Sequence, residues 1–347
     1  MTATPPPAVA DMAGAPTAAL AVRAEGRARG PQLSPRAAFL LRRIGRLLVS
    51  LVVVVVASFF LVHLVPGDPV RAALGIQASP ELVAATRTEL GLDKPIPVQF
   101  LDYVTNLLRG DFGDSIRTGR PVAETIGQRF PATVTLGVLS FLVALLAAVP
   151  IGIGAAVALQ RPGRKLADAL ISSTLGMLIA VPGFLLAVGL IALFAVQLRW
   201  LPAAGWGSPQ DAVLPILALA LGPLAYLARI VQVEMSGVLG ATYMTTARAK
   251  RLPGRLVYLR HALPNIITAS LTVSGLLLSG MIAGTVLIET IFAIPGMGGV
   301  MVPAVGAKDY PIVQGLVIVY ALIILGVNLI VDLILVTVDP RSSITEG

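Results

Sequence analysis

Residues 243–265 read YMTTARAKRLPGRLVYLRHALPN, the longest strongly cationic interruption between two apolar runs in the second half of the chain. The stretch reads as a short helix, a break and a second short helix. Thr242 is placed to cap the first helix, and Pro253-Gly254 to end it. Thr245, Thr246, Ala247 and Ala249 are small enough to let a partner's backbone come close. Arg255 to Ala262 gives roughly two more turns, with Leu256, Leu259 and Leu263 on one side, before Pro264 interrupts again. One face of this elbow is built to rest on something.

Outward from the elbow, the chain is too apolar for a soluble protein. Hydrophobic residues make up 56% of it and charged residues 13%, and the mean hydropathy is +0.87. These values indicate a polytopic membrane protein. The net charge of +8 lies beside long apolar runs, where it sets orientation in the bilayer rather than marking a nucleic-acid surface. The chain has no cysteine, which excludes disulfides and thiolate metal sites.

Residues 1–35, rich in Ala, Pro and Arg, read as a disordered cytoplasmic tail. Residues 36–65 hold the first span. Arg36, Arg42, Arg43 and Arg46 cluster at its start, and Ile44 to Val65 would reach roughly 33 Å, enough for a bilayer core of about 30 Å. The run ends in His63-Leu64-Val65-Pro66-Gly67 without a small-residue cleavage site, so it reads as a retained anchor with the N-terminus inside. Residues 66–131 balance acidic and basic side chains and read as an extracytoplasmic segment, with one helix from Ser79 to Leu90 and an amphipathic one from Val98 to Leu108. Residues 132–341 hold five further spans, at about 132–159, 168–198, 212–230, 266–292 and up to 336. Residues 342–347 form a tail. The expectation is therefore an all-α polytopic membrane protein with six transmembrane helices, an external helical segment after the first, and both termini cytoplasmic.

The elbow, with its Thr-Ala-Arg-Ala-Lys at 246–250 and Arg-His-Ala-Leu-Pro-Asn at 260–265, resembles the EAA loop of bacterial ABC importer permeases, more closely their dipeptide and oligopeptide branch. Three other stretches carry the same resemblance: LGLDKPIPVQF at 90–100 followed by GDFGDS at 110–115, ETIFAIPGMG at 289–298, and Asp309-Tyr310-Pro311 through Asp339-Pro340-Arg341. Together they span most of 41–341. The sequence departs from the family pattern at Thr242, Gln232 and Arg251, where Asp, a basic residue and Gly are usual. The resemblance implies a type I importer permease fold in a bacterial inner membrane, with 242–265 as the coupling loop against an ATPase. Tyr243, Thr245, Thr246, Ala247, Arg248, Lys250, Arg251, His261, Pro264 and Asn265 would make that contact. It further implies a second homologous permease subunit, two ATPase subunits carrying ATP and Mg, an extracytoplasmic solute-binding protein and surrounding lipid, with peptides as cargo.

No catalytic group, cofactor site or metal site is read on this chain. No lysine is followed by Ser or Thr, so a phosphate-cradling GxxxxGK[ST] loop is absent. His63 and His261 are far apart with no carboxylates clustered around them. Pro182, in Val181-Pro182-Gly183-Phe184, frees a backbone carbonyl within the third span, which fits either a pathway lining or a packing kink. Glu289, beside Pro295-Gly296, fits either a path or outer gate, or a cap that accepts backbone N–H groups of that loop; the cap is preferred. Asn328 and Asp332, one turn apart, read as interhelical hydrogen-bonding residues. The external segment is either a packing cap or a contact for the binding protein. Two other classes remain to be weighed: an ion-coupled secondary transporter, which calls for midplane charges and inverted repeats, and a membrane enzyme, for which no constellation is visible.

Overall fold

The computed structural model describes residues 35–64, 68–75, 77–159, 165–249 and 253–338. The expected tails, the basic turn at 161–165 apart from the backbone of Lys165, and Lys250 and Arg251 of the elbow lie outside the described residues. Among the described residues five helices are long and apolar enough to cross a membrane, and a bent pair makes a sixth span if counted as one. The architecture is that of an all-α polytopic membrane protein.

α1 (Pro35–Leu64) and α13 (Tyr310–Val338) run antiparallel. Arg43 forms an ion pair with Asp332 near one end, and Gln314 Nε2 donates to the Ser58 carbonyl at 3.1 Å near the other. Asn328 Oδ1 accepts from Ser279 Oγ of α11 at 2.8 Å. Asn328 and Asp332 thus bind two different helices, as polar side chains in a span must when water cannot satisfy them.

The external segment folds from local caps. Asp68 accepts from Val70 N at 3.1 Å to start α2 (Pro69–Leu74), and Ser79 accepts from Leu82 N at 3.2 Å to start α3 (Pro80–Glu89). Asp68 also holds Arg87 at 2.6 Å. α4 (Ile96–Leu108) lays Phe100 and Tyr103 against Phe59 of α1, with ring centroids 5.2 and 5.7 Å apart. A loop with one isolated bridge, Asp114 to Pro121, then returns to the membrane. Asp309 fastens it: Ser115 Oγ donates to Oδ2 at 2.5 Å and Ile116 N to Oδ1 at 3.2 Å. Ser115 is 2% exposed.

α5 (Val122–Leu159) starts ahead of Pro131 and carries both Pro131 and Pro150 inside it. Burial of Val122 and Ile126 beneath α13, where Gly315 leaves room for them, extends the helix past the proline that the sequence reading took as its boundary. At about 57 Å the helix is longer than a bilayer core, so its first turns lie beyond the hydrocarbon. The third span is not one helix. α6 (Lys165–Ala180) and α7 (Gly183–Leu190), continued by a π-helical turn at Ile191–Gln197, meet at 103° across Val181-Pro182. Pro182 cannot donate within α6 and sits as the N-cap of α7.

α8 (Pro209–Leu239) opens on a capping box between Ser208 and Asp211. It makes the most extensive helix contact in the fold, with α5, and Gly152 permits it. A Cβ on Gly152 would stand 2.6 Å from the Ala228 carbonyl oxygen and from Val231 Cβ, whereas one on Gly154 would meet nothing within 4 Å. α9 (Thr242–Ala249), α10 (Gly254–Leu256) and a π-helical turn at Val257–Ala262 lead into α11 (Leu263–Ile291). Thr242 is the first helical residue rather than the cap. Pro264 does not break the chain either: the wider π turn, closed by Leu263 N onto the Tyr258 carbonyl, absorbs the missing donor, and Pro264 occupies the first turn of α11. A short apolar helix, α12 (Met297–Gly306), joins α11 to α13.

The two glycines of α5 give a paired prediction. Gly152→Ala should lower the thermal unfolding midpoint of the purified protein, by about 1–3 kcal/mol of stability for overpacking. Gly154→Ala should raise it slightly, by about 0.5–1 kcal/mol, because alanine favours helix and the space is open. Equal effects from the two, read by fluorescence-detected melting in detergent, would contradict the close α5–α8 approach.

Candidate functional site

Among the described side chains of α9, Met244 is the buried one. Met244 of α9 is fully buried among Ala156 of α5, Val231, Met235 and Leu239 of α8, Val257 and Ala262 of the π turn, and Ile266 of α11. Fully burying a methionine is worth about 1.5–3 kcal/mol relative to exposure, enough to hold one short helix in place. Its neighbour Tyr243 is 47% exposed, so adjacent residues of α9 face the core and the surroundings. Pro264 and Arg260 are exposed as well. The backbones of Thr245, Thr246, Ala247 and Arg248 lie in α9, and those of His261 and Asn265 in the π turn and α11; the side chains of these six lie outside the described residues.

The buried side of the second half of the elbow is Val257, Ala262 and Ile266, while Leu256 is exposed at 41%. A 3.6-residue period groups Leu256 with Leu259 and Leu263, and of these Leu263 packs against the buried cluster. A π turn bonds i to i+5, and Val257 and Ala262 are five apart. Met244 was missed for a simpler reason. It is a lone large apolar residue in a basic stretch, and no periodicity marks it.

A second arrangement gathers three of the four expected pathway residues. Glu289, near the end of α11, is fully buried, and its Oε2 accepts from Gly298 N at 2.6 Å. Beside it Thr133 Oγ1 of α5 accepts from Met297 N at 2.9 Å. Thr285 Oγ1 stands 3.4 Å from the Tyr320 hydroxyl of α13. The carboxylate therefore caps the N-terminus of α12, where free N–H groups and the helix dipole favour negative charge. Gly296 is required here, since a side chain on it would run into the Glu289 carboxylate, and one on Gly298 into the Val286 backbone. Pro295 is exposed on the turn. Thr133, which completes the clasp, lies 164 positions from Met297 in sequence, and no motif announces it. Pro182, the fourth expected pathway residue, stands apart from this clasp at the α6–α7 bend. Among the described residues no cluster of three or more His, Asp or Glu side chains could hold a metal ion.

Residues 148–344 match the family described as "Binding-protein-dependent transport system inner membrane component", and residues 37–137 match its N-terminal component. The chain is 38% identical to the glutathione transport system permease protein GsiC of Salmonella typhimurium, over 87% of this chain and 97% of that one. It is 40% identical to the Escherichia coli protein named "Probable D,D-dipeptide transport system permease protein DdpB", over 83% of this chain and 92% of that one. A solved structure of the MetNI methionine ABC transporter, in an inward-facing conformation, aligns with 63% of this chain and 94% of that chain at 17% identity and a TM-score of 0.47. The chain belongs to the family of inner-membrane components of binding-protein-dependent transport systems, the multi-pass permease subunits of ABC importers that work with ATPase and substrate-binding partners.

Proposed function

We propose that this chain forms one half of a translocation pathway for short peptides, and that the elbow at 242–265 is where an ATPase subunit drives it. The observation that carries the reading is α9 itself, a short helix whose Met244 is locked into three spans while Tyr243 faces outward. A groove on the ATPase would receive α9 through Tyr243, Thr245, Thr246, Ala247 and Arg248, with Lys250, Arg251, His261, Pro264 and Asn265 flanking it. Closure of an ATPase pair would then push on the helix and rock the attached spans between inward-open and outward-open states. ATP and Mg belong on those partners, and this chain performs no reaction of its own.

The other half of the pathway is a second homologous permease. The exposed apolar residues along the bent span, Met177, Phe184, Leu185 and Val188, give it a surface to cover. Pro182 would act as the hinge of that span, and the clasp of Glu289, Pro295 and Gly296 as a gate at one mouth. Peptide cargo rests on the names of the relatives, one a glutathione permease and one assigned to D,D-dipeptides. An extracytoplasmic binding protein would deliver the cargo. Family membership and the absence of a clear inverted repeat weigh against ion-coupled secondary transport.

Replacing Ala247 with Glu should release the ATPase while leaving membrane insertion intact, because a carboxylate at a small-residue contact would be buried without a partner. Co-purification with the ATPase measures this, and retained assembly with retained ATP-driven uptake would refute the docking role. Met244→Ala, a truncation costing about 2–5 kcal/mol in a packed site, should instead keep the ATPase bound but lower the solute taken up per ATP hydrolysed in proteoliposomes. An unchanged ratio would contradict transmission through this side chain. For orientation, both termini and the elbow are placed in the cytoplasm. A single cysteine at exposed Arg117 should therefore react with an impermeant maleimide from outside, and one at Tyr243 only from inside; the reverse pattern would overturn the topology.

A further inference from the structure

On the side of the external segment lies a cavity of about 620 Å³ that the coupling account does not use. Its size falls within the range of small-molecule sites. Phe59 of α1, Phe112, and Tyr310 and Pro311 at the start of α13 give it an apolar, largely aromatic floor. Its walls come from the end of α3, from α4 and from the loop that Asp309 fastens through Ser115 and Ile116, so the two sides are held in register before any ligand arrives.

The polar groups of the walls divide into satisfied and unsatisfied sets. Lys94 and Asp102 satisfy one another at 2.8 Å, and the Asp102 carboxylate holds the Lys94 ammonium above its ordinary range. Asp111 Oδ1 accepts from Gly113 N at 2.8 Å. Among the described residues the side chains of Glu89, Arg109 and Asp114 have no hydrogen-bond or ionic partner, although all three line the cavity. Tyr310, 5% exposed, carries a buried hydroxyl with no partner. A hydroxyl buried without a partner keeps the cost of its lost hydration until another polar group meets it.

Beyond the Lys94–Asp102 pair, one cation stands against three carboxylates, Glu89, Asp111 and Asp114. This balance repels a phosphate and attracts an ammonium, while Arg109 offers a fork for a single carboxylate. We propose that the cavity is a binding site for short zwitterionic peptides, with the peptide ammonium held by Glu89 and Asp114, its carboxylate by Arg109, and a side chain against the aromatic floor. The site is built from α1, the segment between α1 and α5 and the start of α13. It rests on the peptide-import reading only for the class of ligand, and would act as an outer receiving site for cargo.

The test uses the assembled transporter containing this chain, in nanodiscs without the binding protein, and alanyl-photoleucine as the probe. On illumination the probe should crosslink within 103–116 or 310–314, and excess Ala-Ala should suppress the crosslink where N-acetyl-Ala-Ala does not. Arg109→Gln, and separately Glu89→Gln with Asp114→Asn, should each weaken labelling about tenfold, the scale of one lost charge-assisted hydrogen bond. Tyr310→Phe should weaken it less. The mutated wall residues are exposed, and co-elution of each variant with its permease and ATPase partners on size-exclusion chromatography reports whether it remains assembled. Labelling outside these segments, labelling blind to Ala-Ala, or equal competition by the acetylated dipeptide overturns the proposal. So does a crosslink that appears only in nanodiscs lacking phosphatidylethanolamine, which would assign the cavity to a lipid headgroup. Uptake of Ala-Ala without cavity labelling defeats the site and leaves peptide import standing. Labelling without uptake of any peptide supports the site and defeats the import reading.

Discussion

Met244 is the joint between the elbow and the membrane domain. Its side chain enters a pocket made by α5, α8, the π turn and α11, so α9 cannot move without displacing atoms from each of them. Packed interiors respond to such displacement as bodies rather than by continuous deformation. The α5–α8 pair behind the joint is stiff because Gly152 lets the two backbones meet without intervening side chains. Under the proposed coupling role, a push on α9 would be delivered to two long spans together.

Away from the joint, polar contacts set the geometry. Asp309 fixes the external loop to α13, Arg43 ties α1 to Asp332, and Glu289 with Thr133 clasps the N-terminus of α12. Each joins segments distant in sequence. Within the spans, where no water meets a polar group, leaving one unpaired costs several kcal/mol, so pairs there select one arrangement of helices that otherwise slide on apolar surfaces. The result is a segment between α1 and α5 tied to α1 and α13, beside a core into which α9 is locked through Met244.

The sequence carried the local decisions well. Ser79 before Pro80 and Glu81 announced α3, the apolar runs announced the spans, and Glu289 near Pro295-Gly296 suggested a cap for that loop, which is the contact its carboxylate makes. What it did not carry were departures from regular helix and contacts across long separations. Pro182 marked a break in the third span, but a 103° turn depends on how α7 packs against α8 and α11. Pro131 and Pro264 looked like boundaries because a proline lacks an N–H, yet tertiary burial and a π turn absorbed both. Ser115 and Asp309, 194 positions apart, have no local signature at all. The expected ATPase contact was legible through resemblance to a family, and the side chains of 245–248, 250 and 251 lie outside the described residues.

The claim that matters most is that the elbow and the core spans move as one body. Because the chain has no cysteine of its own, spin labels can be placed at Tyr243 on α9 and at Leu159, exposed at the end of α5, without background from this chain. Electron–electron double resonance on the assembled transporter would compare the nucleotide-free and ATP-trapped states. The Tyr243–Leu159 distance should hold to within about 1–2 Å, the scale of small helix shifts. A lengthening of several ångströms on ATP binding, with α9 sliding away from α5, would contradict the account.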